Sequence, residues 1–139
     1  MKLEVGMYAR ITTGFDVKMS KPIIRIGKIE DISDYCITIN VFSRLIIVSL
    51  KEFEELKRKE PSFNIIDVLE VGDYVNGCLI VEIKQDPFIK GQINLWTNMI
   101  LSAGEPFPNE YYKAKILEKD IKSIVTKEQF ESMEYRVGE

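Results

Sequence analysis

The strongest constraint on this chain is that it opens the same way twice. Leu3-Glu4-Val5-Gly6-Met7-Tyr8 returns, with one change, as Leu69-Glu70-Val71-Gly72-Asp73-Tyr74. A second match follows in the same order: Ile47-Val48-Ser49 with Phe53, Glu54 and Leu56 recurs as Ile124-Val125-Thr126 with Phe130, Glu131 and Met133. Ordered matches of this kind describe one supersecondary unit used twice. They divide the 139 residues into modules at 1–61 and 62–139. Modules this small bury a modest share of their surface, so the two are expected to pack as one unit.

Local signals say what each module contains. Ser49 followed by Glu52 is a capping box, and Val48 with Phe53 is the hydrophobic staple that accompanies it. Leu50, Phe53 and Leu56 then line one face of a short helix that Pro61 stops. The second module repeats the device with Thr126, Gln129, Val125 and Phe130. Strands are expected over 7–13, over 22–32 with Gly27 as a bulge, over 35–39, and over 44–48, whose unbroken apolar run reads as a buried strand. Asn76-Gly77 between Tyr74-Val75 and the run from Cys78 is a two-residue hairpin turn. Further strands are expected over 88–96, 112–118 and 121–125, and the apolar segment 62–69 as a strand or packed connector. The fold class is therefore mainly β with short α-helices: a tandem repeat of two small SH3-like, partly open β-barrel modules, each ending in a short capped helix.

Composition narrows the chemistry. The chain has no histidine, which removes the commonest metal ligand and the commonest acid–base group near neutrality. Neither GxxxxGK[ST] nor GxGxxG occurs. Cys36 and Cys78 each sit in an apolar, strand-like run and read as small buried residues. Glu30-Asp31 with Asp34 matches no calcium loop and reads as a polar turn. A non-enzymatic protein without metal or cofactor is expected. No apolar run reaches bilayer length and the start lacks an export signal, so a cytoplasmic protein with no membrane partner is expected.

Recognition is expected where the two copies differ. Between Gly6 and Ile47 lie 41 positions of chain, against 52 between Gly72 and Ile124. The extra length falls at 102–111, where Gly104, Pro106 and Pro108 surround Phe107; Phe107 and Tyr111 are the candidate anchors for a protein partner. The first copy has instead a long loop at 12–22. Net charge is only -3, yet residues 1–28 carry six basic groups against two acids. Arg10, Phe15, Lys18, Lys21 and Arg25 thus form a second candidate, an anion or nucleic-acid site combining cations with an aromatic ring.

The run 65–83, opening IIDVLEVGDYVNG, and the terminal run 120–139 (DIKSIVTKEQFESMEYRVGE) resemble small accessory proteins of phages and prophages of low-GC Gram-positive bacteria. The resemblance lies in scaffold residues and transfers no site. It implies a setting, the cytoplasm of a bacterial host, where many such proteins bind and block host machinery. The function expected is binding of a host macromolecule, with a component of antiviral defence as the inhibited target. The alternative is a binder or sponge of a nucleotide, a small anion or nucleic acid through the basic N-terminal loop. The sequence leaves the oligomeric state open.

Overall fold

A computed structural model describes residues 2–18, 20–41, 43–98 and 113–131 of the chain. It forms two compact units. The first takes Met1–Leu69 and the return of the chain from Glu128; the second is Glu70–Lys127. The segment 62–69, read from sequence as the start of the second module, thus lies in the first.

The first unit is an antiparallel sheet in the order β1-β2-β3-β4, with β1 at Tyr8–Asp16, β2 at Lys21–Ile32, β3 at Cys36–Val41 and β4 at Arg44–Ser49. Alternation along the strands sends Met7, Ala9, Ile11, Ile29, Ile37, Ile39, Val41 and Val48 to one face, where Phe53 of helix α1 (Leu50–Leu56) packs on them. The helix begins as its capping box dictates. Ser49 Oγ accepts from Glu52 N at 3.0 Å and Ser49 N donates to Glu52 Oε1 at 3.1 Å. The opposite face buries Arg10, Ile24 and Ile26, with Ile66 and Val68 of the 3-10 turn Ile65–Val68 also buried in this unit.

Three details depart from the sequence reading. The expected loop at 12–22 is mostly strand, because Thr12↔Ile24 and Asp16↔Lys21 pair through it. The bulges sit at Thr12/Gly14 and Ile29/Asp31 rather than at Gly27, which keeps its register opposite Ala9. The strand at 44–48 is buried on one face only: Val48 joins the core, but β4 ends the sheet and leaves Leu45 61% and Ile47 68% exposed. An unbroken apolar run indicates burial on both faces only where something covers the second face.

The second unit is a five-stranded antiparallel sheet in the order β8-β7-β6-β5-β9: β5 at Tyr74–Val75, β6 at Cys78–Gln85, β7 at Ile93–Asn98, β8 at Lys113–Ile116 and β9 at Ile124–Val125. Asn76 (φ 53) and Gly77 (φ 80) supply the paired positive φ of the expected hairpin turn. Val75, Ile80, Leu95 and Ile124 are its buried apolar residues; residues 127–131, of which 128–131 belong to the first unit, are helical. Among the described residues neither sheet closes into a barrel; the architecture is mainly β with short helices.

The two LEVG segments build the same local device, each within its own unit. Met7 N donates to Glu4 O at 3.3 Å, as Asp73 N does to Glu70 O at 3.1 Å. Gly6 N donates to Ile29 O and Ile29 N to Met7 O (2.9 and 2.8 Å); Gly72 N donates to Ile80 O and Ile80 N to Asp73 O (3.0 and 2.8 Å). Gly6 and Gly72 adopt φ 100 and 103, a region open to glycine and strained for other residues.

Candidate functional site

The basic residues singled out from sequence separate in the structure. Arg10 is buried; its guanidinium pairs with Glu128 at 2.9 Å and donates to Val68 O at 3.2 Å, so it ties the first unit together. Lys21 pairs with Glu131 at 3.1 Å between two half-exposed side chains. Lys18 is exposed at the β1–β2 turn and Phe15 is exposed opposite Pro22. Arg25, by contrast, lines a pocket.

That pocket is an open concavity of about 490 Å³ lined by Thr13, Arg25, Val41, Arg44 and Ile46. Register explains the grouping. Arg25 lies opposite Ile11, Arg44 opposite Val41 and Ile46 opposite Ile39, and partners in an antiparallel pair project to the same side. Both arginines therefore continue the apolar core face toward the Arg44 end of the sheet. Arg25 Nη1 donates to Thr13 Oγ1 at 2.5 Å, which orients the guanidinium. Arg44 is exposed, and its guanidinium makes no hydrogen bond or ion pair among the described residues. Among the described residues no acidic side chain lines the space. Two guanidinium groups over a Val41–Ile46 floor can hold a carboxylate or phosphate attached to an apolar body. Sequence reasoning missed Arg44 because its proximity to Arg25 arises only from strand register.

The second candidate lies in the second unit, in the turn joining β6 to β7. Asp86 organises it: Asp86 Oδ1 accepts from Phe88 N at 2.7 Å and Ile89 N at 2.8 Å, and Asp86 Oδ2 accepts from Asn94 Nδ2 at 3.0 Å. Asp86 N donates to Gln92 O at 2.7 Å, and Lys115 Nζ stands 4.0 Å from Oδ2. The Asn94 amide, then the two backbone N–H groups, hold the Asp86 carboxyl below its usual range. On this pinned turn Phe88 is 94% exposed, with Ile89 half-exposed beside it. The sequence reading placed Phe88 in a strand; Asp86-Pro87 was the available turn signal.

Phe107 and Tyr111 lie outside the described residues. Cys36 and Cys78 are free thiols, each partly exposed. Among the described residues no group of three or more His, Cys, Asp or Glu side chains could hold a metal ion, and no helix is long and apolar enough to cross a membrane. Comparison of the chain with known protein families, curated proteins and solved structures finds no match.

Proposed function

We propose that this chain is a non-enzymatic binding protein of the phage or prophage accessory kind, acting in a bacterial cytoplasm by engaging a host macromolecule and inhibiting a component of antiviral defence. The setting rests on the sequence resemblance. The binding reading rests on one observation, the exposed Phe88 held on the Asp86 turn. An aromatic side chain left in water on a pre-ordered turn loses little conformational entropy when a partner covers it, which is what an interface anchor requires. The two units are read as diverged copies of one SH3-like, partly open module. The matching hydrogen bonds around Gly6 and Gly72 support that descent.

The test is affinity capture from bacterial lysate with the whole chain, comparing Phe88→Ser with Phe107→Ala/Tyr111→Ala. One stoichiometric host protein is expected, its recovery falling at least about tenfold with Phe88→Ser. Full recovery with Phe88→Ser removes the turn from the interface; loss confined to the other variant moves the interface to the 102–111 segment.

A second reading, favoured by the Arg25–Arg44 pocket, is a binder of a small organic anion, a nucleotide or nucleic acid. It predicts affinity that falls as salt rises and disappears in Arg25→Gln/Arg44→Gln. Anion binding that survives the double substitution excludes the pocket.

A further inference from the structure

The outer edge of β4 is apolar and unpaired among the described residues, unlike that of β1. Segment 57–62 lies along β1, where Tyr8 and Ser62 exchange backbone hydrogen bonds of 2.7 and 3.1 Å and Arg58 N donates to Arg10 O at 2.8 Å. Which groups β4 offers follows from its register with β3. Leu50 N donates to Tyr35 O at 2.9 Å, and only two residues separate the paired Val41 and Arg44. Hydrogen-bonded positions alternate in an antiparallel ladder. Val48, Ile46 and Arg44 therefore direct their backbone groups at β3, while Ser49, Ile47 and Leu45 direct theirs outward. The Ser49 N–H is taken by Glu52 Oε1 at 3.1 Å. Leu45 and Ile47 are left with two donors and two acceptors in a row, and their side chains are 61% and 68% exposed.

Natural edge strands carry charge, proline or a covering segment to prevent pairing. β4, Arg44-Leu45-Ile46-Ile47-Val48-Ser49, has no proline and a single charge at one end. We propose that this edge pairs with the β4 edge of a second copy of the chain, antiparallel about a two-fold axis at Ile46. In that register Leu45 faces Ile47 of the other copy and Ile47 faces Leu45, so all four outward groups of each strand are matched and four hydrogen bonds form. A one-residue slip would set the core face of one copy against the outer face of the other, so the register is confined to even shifts. Charge also fits. The two Arg44 side chains fall at opposite ends, separated by roughly 13 Å along the strands at about 3.3 Å per residue, beyond the ~8 Å screening length of physiological salt. The product is one eight-stranded sheet with a Leu45–Ile47–Ile47–Leu45 stripe on its outer side and two Arg25–Arg44 pockets on the other. The pairing does not depend on either reading of function.

Sedimentation velocity on the whole chain, up to about 1 mM, tests the dimer. Three variants test the edge. Ile47→Pro removes an outward donor while sparing the β3 ladder, and Leu45→Lys/Ile47→Lys sets like charges opposite one another; each is expected to weaken the dimer at least about tenfold. In a Cys36→Ser/Cys78→Ser background, Ile46→Cys is expected to form an intermolecular disulfide, since the two Ile46 positions make a close, non-hydrogen-bonded pair. A monomer throughout the range overturns the proposal. So does a dimer that both β4 edge variants leave intact. Should those variants unfold, the Ile46→Cys cross-link decides alone: its formation supports the pairing and its absence overturns it.

Discussion

Arg10 and Glu128, 118 positions apart in sequence, meet at 2.9 Å inside one compact unit, with the arginine side chain only 1% exposed. A guanidinium sealed from water stays ionised, so its carboxylate partner matters more than a surface ion pair would. The return of the chain from Glu128 is thereby part of the first unit's stability. Glu128→Ala is expected to destabilise by about 1–3 kcal/mol, because it removes a charged hydrogen-bond partner from a buried guanidinium. Arg10→Met/Glu128→Ala should cost clearly less than the two single changes added together. Urea unfolding of the four proteins gives the coupling directly, and additive effects would show that the pair is not a unit.

Gly27 has a different role, set by close approach. A Cβ there would stand 2.6 Å from Ile39 Cγ2, 2.7 Å from Val41 Cγ2 and 2.9 Å from Asn40 O. The two methyl groups belong to branched side chains fixed in the core, and the third atom is backbone, so little can yield. Gly27→Ala is expected to destabilise by about 1–3 kcal/mol, as overpacking does, with a matching fall in the urea midpoint. An unchanged midpoint would mean that β2 and β3 separate freely at this point.

Asn76 combines backbone and side-chain demands. It takes φ 53 in the hairpin turn, and its amide bridges to the strand that returns beside β5. Asn76 Oδ1 accepts from Lys122 N at 2.7 Å and Ser123 N at 3.0 Å, while Nδ2 donates to Asp120 O at 2.8 Å. Asn76→Ala is expected to cost about 2 kcal/mol, from lost hydrogen bonds that are partly exposed and a strained φ. Asn76→Asp keeps the Oδ1 acceptor and the turn preference but sets a carboxylate oxygen against Asp120 O, so its cost should fall below that of Asn76→Ala without vanishing. Amide exchange at Lys122 and Ser123 should rise in the alanine variant and stay slow in the aspartate one.

What could be read from sequence was what local chemistry determines. The Ser49 capping box, the Asn76-Gly77 turn and the Leu50–Phe53–Leu56 face each depend on residues within a few positions, and each formed as its residue types require. The LEVG repeat was legible for the same reason, since Gly6 and Gly72 announce one turn twice. The exposure of β4 was not. Whether Leu45-Ile46-Ile47 is covered depends on what lies beyond the strand, and no window of sequence holds that information. The candidate sites divide likewise. Arg25 was singled out by its charge, whereas Arg44 joins it only through the β3–β4 register, and Arg10 was misplaced because its partner lies 118 positions away.

The Asp86 turn makes a prediction about pH. Its carboxyl is held below the ordinary value of 3.8 by the Asn94 amide first and by the Phe88 and Ile89 N–H groups next. A lowered carboxyl in the folded state stabilises that state above the ordinary value, and the contribution is lost as pH falls through the lowered one. The turn is therefore expected to hold from neutrality down to about pH 4 and to loosen below it, over the window between the two values. Carbon-detected NMR titration of the Asp86 carboxyl, with amide exchange at Phe88 and Ile89, follows both events. Asp86→Asn keeps an oxygen to accept from those N–H groups but carries no charge, so the stability difference from wild type should shrink as pH is lowered through this window. A difference that stays constant from pH 7 to pH 2 would mean that the turn is held by shape alone. The order of Phe88, and with it the anchor on which the binding reading rests, would then be independent of the charge on Asp86.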